Sequence, residues 1–386
     1  MTRFDDALPA LRAITGREHD HYLDVLRELV ELETPSSDVP ALSRAADRIL
    51  ALLTAELGPP SALERHDHAE HGPTLVVDYA GEGDGRVVLL AHYDTVWPLG
   101  TLEEIPFSVT DGILRGPGVL DMKAGLVAGM MAIRHAREAR LPLPALTLVC
   151  NGDEEIGSPA SRPIIEQVGE GASAAIVLEP GVDWDLKTER KAVGVFDLTV
   201  EGIESHAGND PAGGASAVHA MAELITRCAA LTALEDGTSV NVGVVQGGTG
   251  RNVLAGRAHA LVDARATSVE EMERVEAGLR DLTAGDPRVT VTLGGGWNRP
   301  PMRHDAVQRP LFSAANAVAA AVRAPLGRRS VGGGSDGNFL AVRGLPVLDG
   351  MGASGAGPHA RHEHVLEADV DDRILLIAGV LSTFVD

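Results

Sequence analysis

Short apolar runs that end at a histidine or a carboxylate are the feature that most constrains this chain of 386 residues. Three of these runs are residues 87–91, 145–150 and 174–178, and stretches with helical spacing of apolar residues, such as 122–137, separate them. Strands that alternate with helices predict an α/β fold with a mostly parallel sheet flanked by helices. Polar groups that follow parallel strands meet at one edge of the sheet, where open α/β folds build their sites.

The segment before the first of these strands is also patterned. Residues 22–32 and 42–57 carry apolar side chains at three- and four-residue spacing, which predicts two amphipathic helices. Residues 74–80 and 87–91 are β-rich and are separated by Gly-Glu-Gly-Asp-Gly at 81–85, which is typical of a hairpin or another tight connection.

The pattern changes after about residue 191. Strand-like alternation and helical spacing then follow the order strand, helix, strand, strand, helix, strand, which predicts an inserted α+β domain of the ferredoxin-like type. We place this domain at 191–299. Residues 1–190 and 300–386 are predicted to form one catalytic, metal-binding domain, since a chain of this length exceeds the usual size of a single domain.

The charge excludes two classes of partner. With 33 basic and 55 acidic residues the formal net charge is −22, which repels nucleic acid and anionic membranes. Only two cysteines occur, so a disulfide framework is not indicated and we expect buried thiols. The sequence shows neither a signal-like apolar core near its start nor a run long enough to span a bilayer, so we expect a cytoplasmic protein.

Five segments place histidine or carboxylate residues at or just beyond strand ends. Divalent cations bound by imidazole and carboxylate need several such groups from different loops, and a ligating histidine usually has a carboxylate behind it. One histidine at a strand end is often just a polar terminus, so the prediction of a metal site depends on the coincidence. The candidates are His92 with Asp94, Asp121, Glu154 with Glu155, Glu179, and His359.

Adjacent Glu154 and Glu155 are informative as a pair. Neighbours on an extended segment point in opposite directions, so one carboxylate can face a metal while the other addresses a bound water. The alternative is a solvated acidic turn. We prefer the catalytic interpretation because the pair follows a strand that is predicted to be buried.

Taken together, these segments resemble the M20 metallopeptidase family, which contains aminoacylases, succinyl-diaminopimelate desuccinylase and glutamate carboxypeptidase. The resemblance covers nearly the whole chain, and residues 92–123 look most similar to the glutamate carboxypeptidase branch. The motifs that carry it are His92-Tyr93-Asp94-Thr95-Val96, Gly116-Pro117-Gly118 through Asp121-Met122-Lys123-Ala124-Gly125, Asn151 to Ser158, Glu179-Pro180, Ser205-His206-Ala207-Gly208, and Gly334-Ser335-Asp336-Gly337-Asn338-Phe339.

The resemblance implies two divalent metal ions, zinc foremost and cobalt or manganese as alternatives. His92, Asp121 and Glu179 would hold one ion, at what we call the first metal position. Asp121, Glu155 and His359 would hold the other, at the second metal position, so that Asp121 bridges the two. Two such ions lower the pKa of a bound water and polarise a carbonyl group.

Three further roles follow from the resemblance. Glu154 would act as general base, taking a proton from the metal-bridging water and passing it to the leaving amine, and Asp94 would orient His92. His206, in the inserted domain, would reach the active site of a partner subunit and stabilise the oxyanion. This implies a homodimer that forms through the inserted lid domain; the alternative is that His206 is a turn residue.

Four residues are candidates for substrate binding. Asn252 and Arg265 resemble family positions that hold the substrate carboxylate, a task that suits a forked guanidinium, although Arg265 can also be a surface charge at a strand end. Gly334 and Ser335 precede a predicted helix, whose N–H groups can hold a carboxylate or be capped by the serine.

Two positions depart from the family pattern. Met122 follows Asp121 where some members have a second acidic residue, and the resemblance implies a cis peptide bond between them. His362 stands where relatives often have an acidic residue, so His359, His362 and His364 compete as ligands. The Gly-x-His spacing of the family selects His359.

The most specific function that these residues support is a zinc-dependent hydrolase that cuts an amide bond in a small peptide or N-acyl amino acid and releases an amino acid with a free α-carboxylate. An alternative is an N-acyl-amino-acid deacylase of the aminoacylase type. A hypothesis from a different class is a metal-loaded binding protein without catalysis. An intact Glu154 favours an enzyme, because a degenerate member is expected to lose its base or a ligand.

Overall fold

The computed structural model describes residues 2–385, and these residues separate into two compact units. The first unit contains the described chain up to Glu189, Arg303–Ser330 and the chain from Ser335 onward. The second unit contains Arg190–Met302 and Val331–Gly334. Each unit has its own cluster of buried apolar side chains, so each is described by itself.

The helices are numbered in chain order. They are α1 Thr2–Arg17, α2 His19–Glu31, α3 Val39–Leu57, α4 Thr101–Glu104, α5 Ala124–Glu138, α6 Arg162–Gly169, α7 Ala217–Ala229, α8 Val269–Arg280, α9 Gln308–Val322, α10 Gly337–Ala341 and α11 Glu367–Ser382.

The strands are numbered in the same way. They are β1 Ala62–His66, β2 Thr74–Tyr79, β3 Arg86–His92, β4 Ser108–Thr110, β5 Ile113–Arg115, β6 Ala145–Asn151, β7 Ala174–Val177, β8 Leu186–Arg190, β9 Ala192–Glu201, β10 Ser205–His206, β11 Ser239–Gly247, β12 Val253–Leu254, β13 Arg257–Ala266, β14 Thr290–Arg299, β15 Arg328–Val331, β16 Val347–Asp349, β17 Gly355–Ala356 and β18 His364–Leu366.

A six-stranded sheet forms the centre of the described part of the first unit. Its strand order is β1-β2-β6-β3-β7-β16. The pairs β6-β3, β3-β7 and β7-β16 are parallel, whereas β1-β2 and β2-β6 are antiparallel. Strands β3, β6 and β7 are buried over almost their whole length, as expected when helices cover both faces. The predicted α/β fold with a mostly parallel sheet flanked by helices is confirmed.

Of the two alternatives predicted for the link between residues 74–80 and 87–91, the hairpin is wrong, whereas a short connection over residues 80–85 does join the two strands. Strand β6 lies between β2 and β3, antiparallel to β2 and parallel to β3. The glycine-rich connection runs past the start of β6, because Glu82 N donates to Leu143 O and Ala145 N donates to Gly85 O. Parallel pairing of β3 with β6 needs a crossover, which α5 supplies, and this crossover brings β6 into the middle of the sheet.

Helix α5 lies in the core and starts three residues after Asp121. Its residues from Ala124 to Ile133 are buried, which fits a run of small and apolar side chains. A Cβ atom placed on Gly125 would lie 1.9 Å from Leu178 O. Because glycine has no such atom, the helix can approach the backbone that precedes Glu179.

The second unit is built on an antiparallel sheet. Within the described residues its strand order is β11-β13-β9-β14, and the chain order is strand, helix, strand, strand, helix, strand once the two-residue strands β10 and β12 are set aside. Phe196 and Leu198 on β9 pack with Met221 and Leu224 on α7. This is the ferredoxin-like order of elements. Its role as a lid or dimerisation domain stays a prediction.

Two smaller predictions can be compared with the fold. Cys150 and Cys228 are buried free thiols, as predicted. Among residues 2–385, none of the helices is both long enough and apolar enough to cross a bilayer.

Candidate metal centre

The carboxyl ends of three neighbouring strands place three candidate residues at one edge of the sheet. His92 is the last residue of β3, Glu155 follows β6 in a short 3₁₀ turn at Glu154–Ile156, and Glu179 follows β7 by two residues. Because β3 pairs in parallel with both β6 and β7, these residues meet where the three strands end.

Asp121 reaches the same edge from an irregular segment before α5. Gly118, in the left-handed region, begins this segment, and Asp121 and Met122 have non-helical dihedral angles. The peptide bond between them is cis, as the resemblance predicted. Asp121 therefore precedes the regular helix, which begins at Ala124.

The two oxygens of Asp121 face two different imidazoles. His92 Nε2 lies 3.1 Å from Asp121 Oδ1, and His359 Nε2 lies 3.3 Å from Asp121 Oδ2. The same Nε2 atom of each imidazole also faces a second carboxylate: Glu179 Oε1 lies 3.5 Å from His92 Nε2, and Glu155 Oε2 lies 3.0 Å from His359 Nε2. The structure therefore brings together all five residues that were predicted as metal ligands.

The chemistry of this cluster fits a divalent cation. Ligand atoms of His92, Glu154 and Glu179 lie within 4.8 Å of one another, and so do those of His92, Asp121 and Glu155. Within the described part of the chain, Glu155 Oε1 is buried and has no hydrogen-bond partner. A buried carboxylate oxygen of this kind needs a cation or a donor, and imidazole with carboxylate is a donor set that zinc prefers.

The electrostatics also favour positive charge at both imidazoles. Burial lowers the pKa of His92, but its hydrogen bonds to Asp121, Asp94 and Glu179 outweigh burial and hold that pKa well above its usual value. Hydrogen bonds to Asp121 and Glu155 raise the pKa of His359 to about 10. A proton and a metal cation compete for the same ring nitrogen, so these carboxylates attract whichever cation is present.

The two carboxylates nearest to His359 behave differently. Burial raises the pKa of Glu155 to about 7, and its hydrogen bond to His359 opposes this rise. Burial also acts to raise the pKa of Asp121, but the hydrogen bonds to His359 and His92 dominate and hold it well below its usual range. Asp121 is therefore ionised between two imidazoles, as a bridging carboxylate needs to be.

Asp94 positions the turn that carries Glu154 and Glu155 as well as the ring of His92. Its main-chain oxygen lies 3.0 Å from His92 Nδ1, and its carboxylate is fully buried. Asp94 Oδ1 accepts the backbone N–H of Glu154 at 3.1 Å, Asp94 Oδ2 accepts that of Glu155 at 3.2 Å, and Ser36 Oγ donates to Oδ2 at 2.7 Å. One carboxylate thus connects the end of β3 with the turn that carries both glutamates.

The three histidines near residue 360 have different surroundings. His359 has a positive φ of 61° and directs its ring at Asp121 and Glu155. His362 is exposed, and His364 begins β18 with its Nδ1 2.8 Å from the main-chain oxygen of His362. The ring contacts therefore agree with the Gly-x-His spacing that selected His359.

His206 and Asn252 lie in the second unit and are neighbours there. Strand β10 pairs with β12, and Ala207 N donates to Asn252 O at 2.9 Å. Backbone N–H groups of Gly208 and Asn209 donate to His206 Nδ1 at 3.1 and 3.0 Å. Because Nδ1 accepts, the neutral ring carries its proton on Nε2. The ring is exposed and presents an N–H donor.

Arg265, also in the second unit, lies in an ion pair. Its Nε and Nη2 donate to the two oxygens of Asp263 at 2.9 and 2.7 Å, and its Nη1 lies 3.4 Å from Gly332 O. The planar fork is therefore oriented by its neighbour on β13, and Nη1 has the weakest partner.

Gly334 and Ser335 both form hydrogen bonds inside the fold. Gly334 O accepts from Arg190 Nη1 at 2.9 Å within the second unit. Ser335, in the first unit, is fully buried, and its hydroxyl donates to Asp349 Oδ2. Their role in substrate binding stays a prediction, and the serine side chain is already used inside the fold.

Glu363 was not singled out from the sequence, although it is 3% exposed and lies beside Asp121. Its carboxylate accepts the backbone N–H groups of Gly118, Leu120 and Asp121 and the indole N–H of Trp97. The only sequence signal was the acidic residue expected near position 362.

Comparison with known proteins identifies the family of this chain. A model of peptidase family M20/M25/M40 matches residues 88–383. The chain is 26% identical over 374 residues to carboxypeptidase G2 of Pseudomonas sp. (strain RS-16), covering 94% of this chain and 89% of that protein. It is 29% identical over 297 residues to acetylornithine deacetylase of Myxococcus xanthus, covering 72% of each.

Solved structures agree on the fold. Aminopeptidase PepT from Bacillus cereus superposes with a TM-score of 0.76 at 20% identity, covering 95% of this chain and 99% of that one. The M20 family metallo-carboxypeptidase Sso-CP2 from Sulfolobus solfataricus gives 0.75 at 16% identity, with coverage of 94% and 99%. Because the family match extends over well more than half of the sequence, the chain belongs to peptidase family M20/M25/M40 and is a metallohydrolase of that family.

Proposed function

We propose that this chain is a two-metal hydrolase that cuts an amide or peptide bond and releases an amino acid with a free α-carboxylate. The observation that carries the proposal is the pair of imidazoles on opposite oxygens of Asp121, at 3.1 and 3.3 Å. A carboxylate between two imidazole ligands is the arrangement that bridges two cations. His92 and Glu179 complete the first metal position, and Glu155 and His359 complete the second, with zinc as the preferred ion.

Glu154 supplies the proton transfer in this proposal. Two divalent cations, held by the five ligands named above, would lower the pKa of the attacking water and polarise the scissile carbonyl. The Glu154 carboxylate takes the proton of the attacking water and gives it to the nitrogen of the leaving amine. Asp94 fixes the turn that carries Glu154 through the backbone N–H groups of Glu154 and Glu155.

His206 is proposed to donate a hydrogen bond to the oxyanion in the active site of a partner subunit. The contacts of its Nδ1 with the N–H groups of Gly208 and Asn209 support a ring with the proton on Nε2, which is the form that donates. The proposal includes a homodimer through the second unit. Replacing His206 with Ala is expected to lower kcat about a hundredfold and to leave metal content and dimer mass unchanged.

The substrate class is proposed from the relatives. Similarity to carboxypeptidase G2 over 94% of this chain favours a peptidyl donor. Asn252 and Arg265 are proposed to hold the free carboxylate of the released amino acid, with Arg265 Nη1 as the available donor. The second candidate is an N-acyl-amino-acid deacylase, favoured by the 29% identity to acetylornithine deacetylase and the 28% identity to a succinyl-diaminopimelate desuccinylase of Xanthomonas oryzae.

A substrate panel distinguishes these candidates. The purified protein, loaded in turn with zinc, cobalt and manganese, is given peptidyl and N-acetyl or N-succinyl amino acids in which the C-terminal residue is varied first. Faster cleavage of peptidyl donors supports the carboxypeptidase, and faster cleavage of acyl donors supports the deacylase. Full activity after removal of metal with EDTA contradicts both candidates.

Replacing Glu154 with Ala tests the proposed base and the non-catalytic alternative together. We expect turnover to be abolished while about two metal ions per chain remain bound. Unchanged activity means that the base is misassigned. A wild-type protein that binds metal but cleaves no member of the panel supports the binding protein instead.

A further inference from the structure

Glu363 connects two of the proposed metal-ligand segments. Its Oε1 accepts the backbone N–H of Leu120 at 2.9 Å and of Asp121 at 3.1 Å. Its Oε2 accepts the backbone N–H of Gly118 at 3.2 Å and the indole N–H of Trp97 at 2.9 Å. All four donors point at one carboxylate that is 3% exposed. An ionised carboxylate is acceptor-only, so it suits four donors.

The segment that carries Asp121 depends on such an acceptor. Asp121 and Met122 depart from helical dihedral angles, so a regular α-helix does not supply acceptors for the N–H groups of Leu120 and Asp121. Buried backbone N–H groups need partners. Glu363 accepts hydrogen bonds from the backbone N–H groups of Leu120 and Asp121. These bonds hold the backbone from which the Asp121 side chain projects.

The same residue is tied to His359. Ala360 N donates to Gly357 O at 3.0 Å, and Glu363 N donates to Ala360 O at 2.8 Å, so two consecutive turns join the histidine to the glutamate. Strand β18 starts at the next residue and pairs with β5. A shift of Glu363 therefore moves His359 relative to Asp121.

We propose that Glu363 is a positioning residue for the second metal position: it holds the Asp121 segment and the His359 loop at the separation that lets both side chains bind one cation. This inference rests on the proposed two-metal function. It predicts that loss of the Glu363 charge weakens the second metal position more than the first, because the groups that donate to Glu363 are the backbone of the Asp121 segment and the indole of Trp97.

The sharpest variant is Glu363→Gln. Glutamine has almost the same shape, but it keeps one acceptor oxygen and replaces the other with an NH₂ donor. In either orientation of the amide, two of the four N–H groups then face a donor. The matched control is Glu33→Gln. Glu33 also accepts two backbone N–H groups, from Gly100 at 2.9 Å and Leu102 at 3.0 Å, on a segment without a proposed ligand.

The experiment is a zinc titration of the metal-free full-length chain by calorimetry, with metal analysis after dialysis and with absorption spectra of the cobalt-loaded protein. In E363Q we expect the second zinc to bind about 10- to 100-fold more weakly. The first zinc shares Asp121 but not His359, so we expect its affinity to fall less. The cobalt spectrum should lose the contribution of one ion, and added zinc should restore activity. E33Q should match wild type in all three measurements.

The outcomes separate the inference from the function. If wild type binds two zinc ions and E363Q binds both with wild-type affinity, the positioning role is overturned and the proposed function stands. If wild type binds no zinc, the proposed function fails, and the inference fails with it. If E363Q does not fold, Glu363→Asp replaces it: this variant keeps the charge on a shorter side chain, and wild-type affinity for the second zinc contradicts the role.

Discussion

His92 and His359 face opposite oxygens of one carboxylate, yet the chain holds them in different ways. His92 ends a buried strand in the middle of the parallel sheet, and its side chain is 1% exposed. His359 lies in a loop at a positive φ, and its side chain is 51% exposed. The main-chain oxygen of Asp94 lies 3.0 Å from the Nδ1 of His92. His359 instead lies in the two consecutive turns, from Gly357 to Ala360 and from Ala360 to Glu363, that lead to Glu363.

On the proposed two-metal function, this difference implies that the two metal positions differ in affinity. The first is organised by strand pairing, which persists without a metal because the sheet is part of the core. The second needs a loop to be held against the Asp121 segment. We therefore expect the first metal to bind more tightly, and we expect treatments that loosen loops to release the second metal first.

Removing each histidine in turn has the largest expected effect. Both His92→Asn and His359→Asn should lower kcat by about a thousandfold or more, because several kcal/mol of charge stabilisation at about 1.4 kcal/mol per tenfold is lost. Metal analysis after dialysis should find about one ion per chain in H359N and less than one in H92N.

Thermal unfolding of the metal-free variants separates them further. H92N leaves buried partners unpaired and should cost about 1–3 kcal/mol of stability. H359N removes a half-exposed side chain, whose hydrogen bonds to Asp121 and Glu155 are partly screened by solvent, so it should cost less stability than H92N. Equal stabilities and equal residual metal in the two variants would remove the distinction between the positions.

Asp94→Asn should produce the next largest effect. The amide places a donor opposite the N–H group of either Glu154 or Glu155, so we expect kcat to fall about 10- to 100-fold and the second metal, for which Glu155 is a proposed ligand, to bind more weakly. Steady-state kinetics with a zinc titration measures this. Ser36→Ala is the control, since it removes one hydrogen bond from the same carboxylate and should cost far less. Equal losses in both variants would show that Asp94 only fills space.

Gly125→Ala tests the approach of helix α5 to the strand end that precedes Glu179. A Cβ atom at this position would lie 1.9 Å from Leu178 O, so helix and strand must separate, at a cost of about 1–3 kcal/mol. Gly16→Ala is the matched control, because that helical glycine has nothing within 4 Å of an added Cβ and should gain up to about 1 kcal/mol. Chemical denaturation compares the two. An unchanged G125A would show that the helix can yield.

A histidine outside the site should give the smallest effect. Burial lowers the pKa of His135 to about 4, and its Nδ1 lies 3.1 Å from Thr15 Oγ1. As the pH falls, His135 becomes protonated in the unfolded chain at a higher pH than in the folded protein. The stability from neutral His135 is therefore full above about pH 6.5 and falls as the pH drops toward 4, by up to about 2 kcal/mol at pH 5.

The direction in which stability changes with pH distinguishes His135 from His359 in the metal centre. The pKa of His359 is raised to about 10, so in the metal-free protein its contribution is full below about pH 6.5 and is lost as the pH rises toward 10. Unfolding of metal-free wild type and His135→Leu between pH 4.5 and 8 measures the difference. H135L should flatten the acid side only. An unchanged acid side would assign the loss to other groups.

Much of the fold and site follows from local pattern. His92, Glu155 and Glu179 could be predicted because each follows an apolar run, and parallel strands bring such ends together. The ranges of the long helices were near their observed bounds, since residues 42–57 lie inside α3 and 122–137 overlap α5. These features depend on neighbours in the sequence, which single-sequence reasoning can see.

The remaining features depend on contacts that are distant in the sequence. Glu363 and Asp121 are 242 positions apart, and the donors are main-chain N–H groups that no residue type reveals. Helix α1 was not predicted, because Pro9 interrupts its pattern and its few apolar residues, such as Phe4 and Leu11, become buried only when distant parts of the chain pack on them. The position of β6 between β2 and β3 follows from a crossover, which the turn composition at 81–85 does not encode.

The order of the ligands along the chain has a consequence for biosynthesis. A ribosome adds His92, Asp121, Glu155 and Glu179 long before His359 and Glu363. Helix α11, which packs on α5, follows later still. The growing polypeptide can therefore complete at most the first of the two proposed metal positions, and the proposed hydrolysis requires the segment that carries His359 and Glu363 to have emerged. Translation therefore delays completion of the proposed hydrolase site until most of the chain has been synthesised.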